Sequence, residues 1–171
     1  MIVDSYDALG AAAERADTTT PRTDFAGRWL TVCRAIRSWA VAHPHEYALL
    51  YGSPVPGYRA PQDTVPAATR VTAVLAGIVR DASAAGALNR RADEPPPPPA
   101  LAADAARLRE ALMDGVADDA VLRSLLAWMA VFGAISFELF GHLNTVIGDY
   151  GEAFDHHVRQ LGGYVGLGVI T

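Results

Sequence analysis

The stretch ADDAVLRSLLAWMAVFGAISFELFGHL, residues 117–143, decides the fold. Projected at about 100° per residue, Val121, Leu125, Trp128, Phe132, Ile135 and Leu139 fall on one face, and Leu122, Leu126, Met129, Gly133 and Phe140 on its neighbour. A helix that is apolar around most of its circumference is buried around most of it. In a chain of 171 residues with few other helices to surround it, the second face is expected to meet another subunit. The longest uncharged run, Ser124 to Phe137, is about 14 residues and falls short of the roughly 20 that span a bilayer. The reading is a soluble protein with no membrane partner.

The flanking segments carry the same period. Ile2, Tyr6, Leu9 and Ala13 predict a helix over 2–17, closed by a Thr-Thr-Thr-Pro breaker. Phe25, Trp29, Val32, Cys33, Ile36 and Trp39 recur at three and four over 24–42. Pro44 interrupts that helix and suits the first turn of another over 45–51, which Gly52 terminates. Val71, Leu75, Ile78, Val79 and Ala82 predict a helix over 66–85 ended by Gly86. A short helix follows over 101–113, and a last one from Asp149 to about Val165 carries Phe154, Val158, Leu161 and Tyr164. Period-two alternation is absent, so the class is all-α.

Two segments cannot be regular structure. Residues 53–64 hold three prolines and a glycine, which predicts an ordered loop packed against the body through Tyr58. Residues 92–100 hold a polyproline tract, stiff and without backbone donors. Neither of its flanks would make a convincing core alone, so it is read as an internal loop of one domain spanning 1–171.

Composition narrows the function. Hydrophobic residues make up 51% and charged residues 19%, enough apolar content for one core without disulfide or metal staples. Cys33 is the single cysteine, which suits a reducing, cytoplasmic compartment. The amino terminus has acids where a secretion signal needs positive charge. Every one of the 14 basic residues is Arg, and the net charge is −5, a poor basis for holding nucleic acid by its phosphates.

From Trp39 through His43-Pro44-His45-Glu46-Tyr47 to Gly52, in the Pro-Val-Pro-Gly-Tyr loop, at Trp128 to Gly133, and at Glu138 to Leu143, the chain resembles the carboxy-terminal regulatory domain of TetR-type transcriptional regulators. More narrowly, it is similar to the WHG subgroup of that domain, with Phe132 standing where the subgroup has its histidine. The resemblance implies a helical ligand-binding and dimerisation domain: a homodimer through the last two long helices, an unidentified, apolar small-molecule effector, and no cofactor. It also implies that DNA is read by an amino-terminal helix-turn-helix to which nothing before Ile2 corresponds, so no direct nucleic-acid contact is expected from this chain. The alternative is a stand-alone helical dimerisation or ligand-binding module without DNA-binding activity.

The expected pocket residues are Trp29, Cys33, Tyr47, Leu50, Tyr51, Trp128, Phe132 and Ile135; the plain alternative is that each fills the core. The expected dimer interface is Leu122, Leu126, Met129, Gly133 and Phe140, with Phe154, Val158 and Leu161 from the last helix. His142, His156 and His157 stand near Asp149, Glu152 and Asp155. Adjacent histidines on a helix point about 100° apart, so no metal site is read there. His43 and His45 flank a helix junction, where hydrogen bonds to exposed backbone are their ordinary use. Glu138, on a mostly buried helix, is expected to find an Arg partner. No catalytic residue can be nominated: no triad, carboxylate pair or phosphate-cradling loop is present, and the chain is read as a non-enzyme.

Overall fold

A computed structural model of the chain describes residues 2–52, 64–91 and 95–168. These form α1 (Ile2–Asp17), α2 (Phe25–Ala42), α3 (Pro44–Tyr51), α4 (Val65–Ala84), α5 (Pro99–Leu112), α6 (Asp118–Leu139) and α7 (Tyr150–Val165), with no strand among the described residues. The all-α class and the order of the helices agree with the periodicity. Residues 53–63, and with them the expected Pro-Val-Pro-Gly-Tyr loop, lie outside the described residues, as do 92–94 of the polyproline tract.

Local chemistry sets the helix starts. Asp24 Oδ1 accepts from the Gly27 N–H at 2.8 Å at the head of α2, and Asp149 Oδ1 accepts from Glu152 N–H at 2.9 Å at the head of α7. Pro44 and Pro66 occupy first turns, where a missing N–H costs nothing. Two boundaries differ from expectation. The polyproline loop expected over 92–100 stops at Pro98, because Pro99 itself supplies the first turn of α5.

The long helix expected to run to Leu143 ends at Leu139. Gly141 adopts φ 75°, His142 N–H bonds Phe137 O at 3.0 Å, and Gly141 N–H bonds Glu138 O at 3.2 Å, which is the Schellman closure of a helix. The His142 ring then packs on Phe137, centroids 5.2 Å apart. Apolar Phe140 and Leu143 continue the helical period in sequence, but the left-handed glycine between them takes the chain out of the helix.

Helix α2 is the hub, in contact with α1, α3, α4, α6 and α7. It buries Trp29, Leu30, Val32, Cys33, Ile36, Trp39 and Ala40, and each large apolar side chain so buried contributes about 1.5–3 kcal/mol relative to exposure. Helix α1 packs against α2 and α4, while α7 packs against α6 and α2. Helix α5 is peripheral and buries only Ala105. The core is one continuous cluster running from Leu9 to Leu167.

Ion pairs stitch this arrangement from outside. Arg28, only 1% exposed, donates to Asp17 from Nε at 2.8 Å and to Asp81 from Nη1 at 2.9 Å, joining α1, α2 and α4. Arg34 pairs with Asp155 and Arg37 with Glu138, fastening α2 to α7 and α6. By length and composition alone α6 could cross a membrane. Its Val121, Arg123, Val131, Phe132 and Ile135 are instead buried against the other helices.

Candidate functional site

Where α2, α4, α5 and α6 converge, they leave between them a cavity of about 190 Å³. Its wall is Trp29 from α2; Thr72, Leu75 and Ala76 from α4; Leu108, Leu112 and Met113 at the end of α5; and Ser124, Leu125 and Trp128 from α6. Among the described residues no ionisable side chain lines it. The gap follows from α5: a helix that offers one buried alanine and half-buried leucines cannot close against α4 as tightly as α1 does.

Of the eight expected pocket residues, Trp29 and Trp128 line this cavity. Cys33, Tyr47, Phe132 and Ile135 are buried in the core, and Leu50 and Tyr51 pack half-buried against it. Tyr6, Tyr51, Phe132 and Trp128 form a chain of ring contacts from α1 through α3 to α6, with centroids 6.2, 4.6 and 5.3 Å apart, and Tyr47 joins it 5.1 Å from Tyr51. Such rings fill one another's space. Tyr47 Oη donates to the Phe132 carbonyl at 3.0 Å and also meets Ser136 Oγ at 3.0 Å; burial pushes its pKa up to about 12. Phe132 serves as packing, held between Tyr51 and Trp128.

The α4 and α5 wall escaped the sequence reading. Helical spacing marks Leu75 as buried, and that is where it is, with Ala76 buried beside it. Whether a buried position faces another side chain or a void depends on how three helices meet, which no single period reports.

The expected interface divides. Leu126 (48% exposed), Met129 (49%) and Phe140 (44%) stand on the surface, and Phe137 (52%) joins them. Leu122 is half-buried, and Gly133 faces open space. On α7 the expectation needs correction: Phe154 and Val158 belong to the protomer's own core and Leu161 is half-buried against it. The Arg37 guanidinium sits 5.6 Å from the Phe154 ring centre, and the Val158 carbonyl accepts from Trp29 Nε1–H at 3.0 Å. Helix α7 has one apolar stripe, and the core takes it; its exposed positions are Glu152, His156, His157, Gln160 and Gly163.

The remaining polar residues are structural. Glu138 has the Arg partner expected of it, Arg37. His43 Nδ1 bonds the Trp39 carbonyl at 2.9 Å at the helix junction. Cys33 is fully buried, and burial pushes its thiol pKa far up. Among the described residues no three His, Cys, Asp or Glu side chains gather as metal ligands.

Residues 29–161 match the family model of the tetracyclin repressor-like C-terminal domain. The chain belongs to the TetR family of transcriptional regulators. HTH-type transcriptional regulators of Mycobacterium tuberculosis and Mycobacterium bovis are each 36% identical to it over 165 residues, covering 94% of this chain and 69% of theirs. The solved structure of the regulatory protein SCO4313 matches with a TM-score of 0.69 at 30% identity, over 95% of this chain and 70% of that one. The TetR family resemblance read from Trp39 to Gly52 and from Trp128 to Leu143 thus holds along nearly the whole chain.

Proposed function

We propose that this chain is the effector-binding and dimerisation part of a TetR-type regulator, in which a small molecule between α2, α4, α5 and α6 sets the affinity of a helix-turn-helix for DNA. The observation that carries the reading is the cavity, apolar and walled by two tryptophans, as ligand sites commonly are. Its α4 wall is also the support of α1. Arg70, two residues before Thr72, donates to Asp7 Oδ1 at 2.6 Å and to Glu14 Oε2 at 2.7 Å. The helices approach so closely there that a Cβ on Gly10 would lie 2.8 Å from Arg70 Cβ. A ligand that shifts α4 shifts α1 with it, and the resemblance makes α1 the helix that leads to the DNA-reading unit.

Linkage then requires that ligand and operator weaken each other, by a coupling of typically 1–3 kcal/mol. A homodimer through α6, with α7 beside it, sets the spacing of two DNA-reading units. Four large apolar side chains exposed along α6 and its end support that pairing. The acidity of the chain agrees with DNA contact residing elsewhere. A regulator of this kind is soluble, cytoplasmic and not an enzyme.

Native mass spectrometry of the purified chain tests the reading. The expected spectrum is a dimer that retains or takes up one small molecule per protomer, and Ala76→Phe, which fills the cavity, abolishes uptake while leaving the dimer. A monomer, or uptake unaffected by Ala76→Phe, overturns it.

A further inference from the structure

We infer that the cavity selects a compact hydrocarbon, one ring with a short alkyl substituent, and discriminates against its hydroxylated and charged analogues; this rests on reading the cavity as the effector site. Trp29, Thr72, Ser124 and Trp128 bring N–H or O–H groups to the wall, yet three of these four groups are withheld from an occupant. The Trp29 N–H is given to the Val158 carbonyl at 3.0 Å, and a Cβ on Gly162 would lie 3.1 Å from Trp29 Cδ1. The pyrrole edge of that indole is thus held against α7, which contributes no wall residue among those described. Ser124 Oγ gives its proton to Ala120 O at 2.7 Å, one turn back on α6. Trp128 Nε1 is buried beyond the reach of a water molecule, so nothing inside the cavity touches it. The hydroxyl of the half-buried Thr72 is what remains.

A wall that contains polar side chains but presents carbon sets the ligand class. A hydroxyl taken from water into it gives up hydrogen bonds and recovers none, and a carboxylate or ammonium gives up far more. A methyl group in the same place gains by leaving water. Exchanging one methyl of the occupant for a hydroxyl is therefore expected to weaken binding at least about tenfold. Size sets the other bound. About 190 Å³ is somewhat above the roughly 150 Å³ of an apolar cavity that admits benzene, so a benzene ring with one or two further carbons fills it. With its pyrrole edge on α7, Trp29 meets the cavity through the rest of its ring system, against which a second ring packs in offset or edge contact. Such a site separates a hydrocarbon from its first oxidation product.

Three probes of similar size test this: ethylbenzene, benzyl alcohol, in which a hydroxyl replaces the methyl, and benzoate. The chain has three tryptophans, and titration of the ¹⁵N-tryptophan-labelled chain reads binding from their indole resonances. Ethylbenzene is expected to bind at least about tenfold more tightly than benzyl alcohol, with benzoate weakest. Ala76→Phe, which fills the cavity, should abolish ethylbenzene binding, and Thr72→Val should leave it unchanged. If Ala76→Phe does not fold, the order of the three probes in the unsubstituted chain decides alone. Benzyl alcohol binding as tightly as ethylbenzene, or benzoate binding tightest, overturns the hydrocarbon class and leaves the cavity as a binding site; a benzyl alcohol preference that Thr72→Val removes would identify the polar anchor responsible. If no probe at millimolar concentration moves an indole resonance, or if ethylbenzene still binds to a folded Ala76→Phe, the cavity is no ligand site and the functional reading falls with it.

Discussion

Arg37 grips Glu138 with both arms: Nε donates to Oε2 at 2.7 Å and Nη2 to Oε1 at 2.6 Å, tying the middle of α2 to the last turn of α6. A two-bond Arg–carboxylate pair is directional as well as attractive, and here it fixes where α6 ends relative to the hub helix. Both side chains are mostly buried, so removing one strands the other. Glu138→Ala is expected to lower stability by about 1–3 kcal/mol in urea unfolding. Arg37→Ala/Glu138→Ala together should cost less than the two single changes added, and simple additivity would show that the pair contributes nothing of its own.

Arg28 at the junction of α1, α2 and α4 should matter more. Arg28→Met keeps the stem's volume but removes the buried partner of Asp17 and Asp81, leaving the exposed Arg22 as the cation between them, at a cost of roughly 3 kcal/mol in chemical unfolding.

The same cluster sets an acid limit. Burial pushes the Asp17 carboxyl up, but hydrogen bonds from Arg28 and Arg22 outweigh it and hold its pKa below the ordinary 3.8. Glu14, held down by its hydrogen bond from Arg70, and Asp155, by that from Arg34, lie low for the same reason. A carboxylate whose folded pKa is depressed stabilises fully above its unfolded pKa and loses that contribution as pH falls through the folded one. The urea midpoint is therefore expected to be flat above about pH 5 and to drop below about pH 4. Asp17→Asn should be less stable at neutral pH and show a shallower drop; a drop as steep as in the unsubstituted chain would contradict this account.

Gly133 offers a clean test of the α6 surface. A Cβ added there meets nothing within 4 Å, and a helical glycine costs up to about 1 kcal/mol relative to better helix formers. Gly133→Arg should therefore fold, melt no lower as a protomer, and sediment as a monomer where the unsubstituted chain sediments as a dimer. An unsubstituted chain that stays monomeric at micromolar concentration would remove the pairing argument.

Cys33 reports global opening. Fully buried, with its thiol pKa pushed up by desolvation, it should resist a thiol reagent in the native state and react at the rate of unfolding in urea. Rapid labelling of the native chain would mean that α2 opens locally.

The helices were readable because each carries its own instructions. The three-and-four spacing of Phe25 to Trp39, the Asp24 and Asp149 caps, and the prolines at 44 and 66 act within a turn or two of chain. Glu138 was readable in kind, since an acid among apolar neighbours needs a cation. That the cation is Arg37, 101 residues away, was not. The end of α6 was misjudged for the opposite reason: the apolar period runs on past Gly141, and the left-handed turn there overrides it.

The sequence by itself determined the all-helical class, the family, and the surplus of apolar surface on 117–143, because periodicity, capping and composition are properties of neighbouring residues. Only the tertiary structure decided how that surplus is distributed. Phe154 and Val158 went to the protomer's own core, Met129 and Phe137 remained outside, and Trp128 came to the edge of a void that Leu75, Ala76 and Leu112 complete. A cavity is a misfit among several packed helices, and the shape of that misfit is set by all of them together.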